Sequence, residues 1–308
     1  MKYNILLIIL RTIVGGVFIF SAVSKLLVAD DFELYIYSKT FLSWNLSIAA
    51  ARIIIGAELA MGLLLICNVF TPPNLIVIIT MLAGFTLWLG GNLIFNRQEE
   101  NCYCFGDALH LNTALSIVKN LVLIALVAFL YLKRPSAYSK SLIITLLILV
   151  VAFIGPSVYS PPDFLMRGFY ADKKDVNVNN IPEAVFNNAK VNGDPELIAH
   201  EPRVMLCFLS TGCVHCKKAA TLIGNMQRKA GNTLHIVYIF YEEPGTFLED
   251  NASEDMPYYV FDSSIFFWYN GKGVPSIFLT ENNNIIEKYS YRSLNEKEIL
   301  SFLSEEGH

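Results

Sequence analysis

The chain has 308 residues, of which 54% are hydrophobic, and its mean hydropathy is +0.46. This composition is too apolar for an ordinary soluble globular protein, so it excludes that class and predicts a membrane protein in contact with the lipid bilayer. The net charge is only −4, and no basic patch is interleaved with aromatic residues. Nucleic acid is therefore excluded as a partner.

Five apolar stretches are long enough to cross a membrane. A hydrocarbon core about 30 Å thick requires roughly 20 mostly apolar residues in a helix. The first stretch is too long for a signal peptide and contains Arg11, so we expect an uncleaved first span. The predicted spans cover about residues 4–29, 46–69, 75–95, 113–132 and 141–159.

The connection between the fourth and fifth spans indicates the orientation of the chain. It contains Lys133, Arg134 and Lys140 and no acidic residue. Basic residues accumulate in short cytoplasmic loops, so the N-terminus is expected in the cytoplasm. The connection 96–112 and everything after Tyr159 then lie outside. We therefore expect a multi-pass protein of a bacterial cytoplasmic (inner) membrane with a periplasmic C-terminal domain.

Two cysteine pairs fall on this outer side. Cys102 and Cys104 lie in the connection 96–112, and Cys213 and Cys216 form a C-x-x-C motif in the last third of the chain. The compartment is oxidising, and two such pairs can pass electrons by thiol–disulfide exchange. A disulfide closed across a single residue is strained and easily reduced, which suits a relay. The alternatives are a passive structural role for Cys102 and Cys104, or a single accessible thiol.

The C-terminal region has an α/β pattern from Arg203 onward. Strands are predicted at 203–210 and 235–241, followed by an antiparallel hairpin at 276–280 and 285–291. Helices are predicted at 213–229 and 295–306. The C-x-x-C motif therefore lies between the first strand and the first helix. The polar range 163–200 is expected to contain a linker and the start of the soluble region.

This order, with Val274-Pro275 ahead of the hairpin, resembles the thioredoxin fold over roughly residues 195–306. The resemblance implies that Pro275 is cis and lies against the redox disulfide, that Cys213 attacks and that Cys216 resolves. A thiolate at a helix N-terminus is stabilised by the helix dipole and by free N–H groups. His215 can add positive charge there. The resemblance to oxidising thioredoxin-like proteins, which often carry this His, implies a relatively oxidising pair.

Two features depart from the thioredoxin pattern. Cys207 occupies the position of the usual buried Asp, where we expect it to be a core residue, and its presence argues against an efficient general disulfide reductase. The aromatic stretch 245–269 either packs a core or shapes a groove for a partner. A zinc site needs four ligands, and His200 and His235 lack a fitting spacing, so no metal is predicted.

The N-terminal region resembles the MauE/DoxX group of four-helix membrane proteins. The residues that carry this resemblance are Arg11, Gly15, Gly16, Phe20 and Lys25, the sequence from Cys102 to Asp107, and Lys119-Asn120. Resemblance to MauE implies a role in maturing periplasmic proteins, typically with a separate thioredoxin-like partner that is fused here. The expected domains are a membrane domain (1–135), a fifth helix (136–162), the linker region (163–200) and a thioredoxin-like domain (201–308).

Charged residues inside the spans are candidates for function, because charges at bilayer depth are costly. Lys25, Arg52 and Lys119 are expected near the outer ends of their helices, where they would form a positive pocket below Cys102 and Cys104. Such a pocket would stabilise a thiolate or a reduced quinone oxygen. The alternatives are contact with lipid headgroups and, for Arg52, a buried ion pair with Glu58.

The sequence therefore predicts a membrane-bound thiol–disulfide oxidoreductase that acts on thiols or disulfides of extracytoplasmic proteins. In this interpretation Cys213 and Cys216 react with the substrate protein, and Cys102 and Cys104 relay electrons. No covalently bound cofactor is expected, but a quinone is possible. Two alternatives stay open: a thioredoxin-like module on a passive anchor, and a quinone-linked oxidoreductase of small sulfur compounds.

Overall fold

A computed structural model describes residues 2–69, 71–94, 103–107, 112–133, 141–170, 180–188, 190–192, 201–271 and 273–304. It divides the chain into two compact units, each built from more than one segment. The first unit, called the membrane unit below, contains residues 1–35 and 48–161. The second, called the soluble unit, contains residues 36–47 and 162–308. The assignment of residues 36–47 to the soluble unit is a feature that the sequence does not predict.

Five long helices form the membrane unit, and all five predicted spans are confirmed as helices long and apolar enough to cross a membrane. Leucine, isoleucine and valine side chains cover much of their outer surface, as expected for contact with lipid. The helices are α1 (Lys2–Leu27), α3 (Trp44–Ile66), α4 (Thr71–Ile94), α5 (Thr113–Leu132) and α6 (Leu142–Tyr159). The chain thus contains a multi-pass helical membrane domain.

Glycines allow two of these helix pairs to pack closely. A Cβ atom on Gly62 of α3 would lie 2.7 Å from the carbonyl oxygen of Gly15 in α1, so the two backbones are in direct contact. Gly56 of α3 faces Phe153 of α6, with 2.7 Å from its virtual Cβ to the ring. Small residues at such crossings are typical of membrane helices, where packing replaces the hydrophobic effect. The fifth span therefore packs against the bundle as well as connecting it to the C-terminal region.

Two short elements in the predicted connections were missed. Helix α2 (Ala29–Lys39) follows α1, and strand β1 (Cys104–Asp107) lies in the connection between α4 and α5. Helix α2 begins with Asp30 and Asp31, which favour a helix N-terminus. Its mean hydropathy is low, so a search for apolar spans passes over it.

A six-stranded mixed sheet forms the centre of the soluble unit, in the order β2-β5-β4-β3-β6-β7. The central strand β3 is parallel to β4 and antiparallel to β6, and β6 forms a hairpin with β7. The strands are β2 (Lys190–Asn192), β3 (Arg203–Phe208), β4 (Ile236–Phe240), β5 (Tyr258–Val260), β6 (Ser276–Glu281) and β7 (Asn284–Tyr289). This arrangement confirms the thioredoxin-like α/β fold.

Helices and 3₁₀ turns surround this sheet. The α-helices are α7 (Asp163–Tyr170), α8 (Val214–Lys229), α9 (Phe247–Asp250), α10 (Ser263–Asn270) and α11 (Glu296–Ser304), and the 3₁₀ turns are Glu183–Asn188 and Tyr291–Ser293. Helix α7 contacts the turn Tyr291–Ser293, and Ile181 and Phe186 belong to the core. The described elements within the range 163–200 are therefore packed parts of the soluble unit.

The alternation of side chains between the two faces of β3 explains where Cys207 lies. Val204, Leu206 and Phe208 point into a core cluster on one face of the sheet. Cys207 therefore points to the other face, where it is fully buried and lies beside Tyr238 in the register of β4. The Tyr238 hydroxyl donates to the carbonyl of Ala220 in α8, at 3.2 Å. Cys207 is a free thiol between the sheet and α8, and its expected place in the core is confirmed.

The aromatic stretch 245–269 contributes to the core and also to the surface. Tyr259, Phe261 and Phe266 are buried in the same cluster as Phe208. In contrast, residues Phe267 and Trp268 are 52% and 72% exposed. Core packing thus explains why Tyr259, Phe261 and Phe266 are aromatic, but it does not explain Phe267 and Trp268.

Candidate functional site: two cysteine centres

The C-x-x-C motif is built around the first turn of α8. Cys213 is the N-cap residue, and its Sγ atom accepts a hydrogen bond from the backbone N–H of Cys216 at 3.3 Å. Sγ also lies 3.7 Å from the carbonyl oxygen of Val274, to which the thiol donates. The Val274–Pro275 peptide bond is cis, as the resemblance implies. The loop that contains Pro275 therefore contacts the sulfur of Cys213 directly.

The two thiols of this motif have different surroundings. Cys213 is partly exposed, whereas Cys216 is fully buried one turn into the helix. Burial raises the pKa of the Cys216 thiol, and its hydrogen bond with Cys213 raises it further. Cys216 is thus a neutral thiol at neutral pH. An external disulfide can therefore reach Cys213, whereas Cys216 is shielded from one.

Exposed residues lie between and beside these thiols. The Val214 side chain is 63% exposed, and His215 is exposed with its ring centroid 6.3 Å from that of Tyr291. His215 therefore lies on the accessible side of the motif, where a partner would contact it.

Two polar contacts fix the loop that precedes Cys213, and sequence reasoning missed both. The hydroxyls of Ser210 and Tyr241 are 3.2 Å apart, and the Thr211 hydroxyl donates to the carboxylate of Glu242. Ser210 and Tyr241 follow the ends of the parallel strands β3 and β4. The carboxyl ends of neighbouring parallel strands lie side by side at one edge of a sheet. The positions of Ser210 and Tyr241, just after two such strands, were therefore the sequence signal for their contact.

The second centre is in the membrane unit at Cys104, the first residue of β1. Cys104 is disulfide-bonded and only 3% exposed. The other described cysteines, Cys67, Cys207, Cys213 and Cys216, carry free thiols. Cys102, which the sequence pairs with Cys104, lies outside the described residues.

Two buried polar side chains, Ser21 and Lys25, hold the backbone of Cys104, and a third, Glu58, contacts both of them. Its carbonyl oxygen accepts hydrogen bonds from the hydroxyl of Ser21 and the ammonium of Lys25, both at 2.8 Å. The same ammonium is 2.7 Å from Oε2 of Glu58 and 2.8 Å from Oε1. The Ser21 hydroxyl oxygen also lies 3.0 Å from Oε2 of Glu58. Helices α1 and α3 thus supply one connected network that ends on the disulfide-bonded residue.

The residues that follow Cys104 fit closely against α1. Gly106 has a φ of +53°, and a Cβ atom there would lie 2.5 Å from the carbonyl oxygen of Ser24, so only glycine fits. Phe105 contacts Phe20, with ring centroids 5.6 Å apart. The ammonium of Lys119 lies 4.4 Å from the centroid of Phe105. Strand β1 is therefore docked on the helix bundle.

Two carboxylates lie beside the cations of the predicted positive pocket and reduce its net charge. Lys25 pairs with Glu58, and Arg52 pairs with Glu33 at 2.6 Å. Arg52 also donates to the hydroxyl of Ser160, at 3.2 Å. The ion pair between Arg52 and Glu58 considered from the sequence is therefore wrong. Two of the three predicted cations have their charge compensated by a buried carboxylate, and Lys119 lies on an aromatic ring.

Fold and cysteine geometry together define a multi-pass membrane protein whose soluble unit is thioredoxin-like and presents a C-x-x-C motif at a helix N-terminus. Residues 3–133 match the family described as methylamine utilisation protein MauE. The chain therefore contains a MauE domain, as its motifs imply. The chain is also similar to Protein TlpB of Flavobacterium psychrophilum, with 26% identity over 342 aligned residues, which cover 91% of this chain and 90% of that protein.

The buried ion pair generates a prediction about the membrane unit. Lys25→Met leaves the Glu58 carboxylate buried without its cation, which typically costs about 3–5 kcal/mol. We expect Lys25→Met to lower the thermal stability and abundance of the full-length protein strongly. The double variant Lys25→Met/Glu58→Gln should recover part of this loss, because both charges are then absent. Wild-type thermal stability for Lys25→Met in detergent would contradict the assignment.

The buried thiols generate a prediction about pH. Burial raises the pKa of Cys207 and of Cys216, so the folded state keeps both protonated where the unfolded chain, with thiol pKa values near 8.5, releases its protons. The reduced soluble unit should therefore lose stability as pH rises above about 8.5, by up to about 1.4 kcal/mol per pH unit and thiol. Urea unfolding followed by pulse proteolysis of the full-length protein measures this.

The matched comparison for this pH dependence is between two cysteine-to-alanine variants. Cys207→Ala should reduce the slope of stability against pH, since one buried thiol is removed. Cys67→Ala should leave the slope unchanged, because Cys67 lies in the membrane unit and not in the soluble unit whose unfolding is measured. Equal slopes for wild type and Cys207→Ala would contradict the prediction.

Proposed function

We propose that this protein is a membrane-bound thiol–disulfide oxidoreductase that exchanges disulfides with extracytoplasmic proteins through Cys213 and Cys216. The observation that carries the proposal is the asymmetry of the motif. Cys213 is the accessible thiol at the helix N-terminus, and Cys216 is buried with its backbone N–H directed at the Cys213 sulfur. A structural disulfide does not require one thiol to be accessible, whereas exchange does.

The reaction proceeds through a mixed disulfide. The Cys213 thiolate attacks one sulfur of a substrate disulfide, and the other substrate sulfur leaves as a thiolate and takes up a proton. Cys216 then loses its proton and attacks the Cys213 sulfur. The second substrate thiol is released and the Cys213–Cys216 disulfide forms. Two electrons and two protons pass from the enzyme to the substrate, and oxidation of a substrate dithiol follows the reverse sequence.

The Cys104 disulfide is proposed as the redox partner of this motif. We take Cys102 as the second cysteine of that disulfide, because it is the remaining cysteine of the sequence. A reduced Cys213–Cys216 pair would reduce the Cys104 disulfide by the same two attacks. Ser21, Lys25 and Glu58 support this role as positioning residues. Ser21 and Lys25 bind the Cys104 carbonyl and not its sulfur, and Glu58 binds Lys25. Their network keeps the strand in place while the sulfurs react.

The proposed location is a bacterial inner membrane with the N-terminus in the cytoplasm. The charges of Lys133, Arg134 and Lys140 support it, and it places both cysteine pairs in the periplasm. No covalently bound cofactor is required. A membrane quinone is the proposed class of acceptor for electrons from the Cys104 pair. The Lys119 ammonium over Phe105 is the cation that would face a reduced quinone oxygen.

Labelling of intact spheroplasts tests the orientation. A maleimide that cannot cross the membrane should label reduced Cys213, and Cys102 or Cys104 after reduction, but not Cys67. A cysteine introduced by Ser136→Cys, in the basic connection, should react only after the membrane is permeabilised. Labelling at position 136 from outside would contradict the proposed topology.

Trapping of the mixed disulfide tests the electron route. In Cys216→Ser, Cys213 has no resolving thiol, so it should remain bonded to Cys102 or Cys104 of the same chain. With a protease site inserted after Lys173, the two halves of the cleaved chain should stay joined on a non-reducing gel and separate with reductant.

Two variants make this trapping specific. Adding Cys213→Ser to Cys216→Ser should abolish the link between the halves, and so should adding Cys102→Ser with Cys104→Ser. If the halves always separate while external proteins are trapped on Cys213, the relay is absent. The membrane domain is then a passive anchor. Reduction of a quinone by thiosulfate or a small thiol without Cys213 would instead favour an oxidoreductase of small sulfur compounds.

A further inference from the structure

Residues 36–47 are part of the connection between the first two membrane spans, yet they group with the soluble unit. They include the end of α2 and the first turn of α3. Two large aromatic residues in this segment are buried: Tyr37 is 0% exposed and Trp44 is 2% exposed. Their rings pack edge to face with centroids 5.6 Å apart. Aromatic residues so completely buried in a short connection require a dedicated surface that covers them.

Glu296, the first residue of α11, provides one part of that surface. The Tyr37 hydroxyl donates to Oε1 of Glu296 at 2.7 Å, and the backbone N–H of Trp44 donates to Oε2. One carboxylate therefore holds two points of the segment. Burial, together with the hydrogen bond to this carboxylate, raises the pKa of Tyr37, so its hydroxyl stays protonated and remains a donor.

Lys229, the last residue of α8, provides the other part. Its ammonium donates to the carbonyl oxygen of Leu42 at 2.7 Å and lies 3.4 Å from the centroid of the Tyr37 ring. A cation at this position interacts favourably with the C-terminal end of the helix dipole and with the aromatic face. Lys229 is thus the last residue of α8, contacts the Tyr37 ring and binds the backbone of the segment at Leu42.

We propose that residues 36–47 form a docking arm, and that the ends of α8 and α11 are the surface that binds it. The arm holds the thioredoxin-like domain by noncovalent contacts, in addition to the covalent connection after α6. Helix α8 has Cys213 at its N-terminus and the arm at its C-terminus. Since a second attachment raises the effective concentration of tethered groups, the arm accelerates exchange between Cys213 and the Cys104 disulfide of the same chain. This consequence rests on the proposed function.

Hydrogen exchange of the full-length protein in lipid nanodiscs tests the docking itself. In Glu296→Ala, peptides covering residues 36–47 should exchange about tenfold faster or more, as expected when hydrogen bonds to a charged group are lost. Tyr37→Ala should increase exchange at the end of α8 and the start of α11. Unchanged protection of β3 and β6 shows that the domain remains folded.

Matched control variants are available in the same elements. Glu298→Ala removes a carboxylate of the same helix that binds Asn295, and Phe41→Ala removes an exposed ring of the arm. Both should leave exchange of residues 36–47 as in wild type, and Glu296→Gln, which keeps one acceptor, should be intermediate. Fast exchange of residues 36–47 in wild type, or no change in Glu296→Ala, would overturn the docking arm.

The rate of exchange between the cysteine pairs tests the consequence. Glu296→Ala should slow oxidation of reduced Cys213–Cys216 by the Cys104 disulfide about tenfold or more, without changing its oxidation by glutathione disulfide. If the arm is docked but transfer is equally fast in wild type and Glu296→Ala, the proposed acceleration is refuted. If wild type shows no transfer while the arm is docked, the proposed relay fails and the docking assignment stands.

Discussion

A buried ion pair between Lys25 and Glu58 is the interaction on which the cysteine centre of the membrane unit depends. An isolated charge at bilayer depth is too costly to persist, so each must have a partner. The pair joins α1 to α3, and its remaining bonding capacity is directed at the carbonyl oxygen of Cys104. The position of the disulfide-bonded Cys104 is thereby linked to the helix packing. With the close contact of Gly106 against Ser24, this makes strand β1 part of the bundle.

The soluble unit holds two thiols in different surroundings, one partly exposed and the other buried. The fold places Cys213 at the start of α8 and uses the loop of Pro275 to contact its sulfur. Burial raises the pKa of Cys216 and keeps its thiol protonated at neutral pH. Cys207 adds a third thiol between the sheet and α8, but it has no route to a partner because it is fully buried.

Much of this architecture could be predicted from local sequence. The five spans follow from hydropathy, and the thioredoxin-like order follows from the C-x-x-C motif between a strand and a helix. Pairings could not be predicted, because they depend on which helices become neighbours. Glu58 was the candidate partner of Arg52. In the structure Arg52 pairs instead with Glu33, which lies in the unpredicted helix α2. The arm was missed for a similar reason: nothing near Tyr37 in the sequence indicates a contact with Glu296, 259 residues away.

The redox state of the Cys104 pair in living cells tests the central claim that the two cysteine centres exchange electrons. Acid quenching followed by alkylation with a maleimide of high mass separates reduced from oxidised forms on a gel. The account predicts that the proportion of the reduced Cys104 pair differs between wild type and the Cys213→Ser/Cys216→Ser variant, whichever way electrons flow. An identical redox state of the Cys104 pair in both, at equal protein abundance, would contradict it.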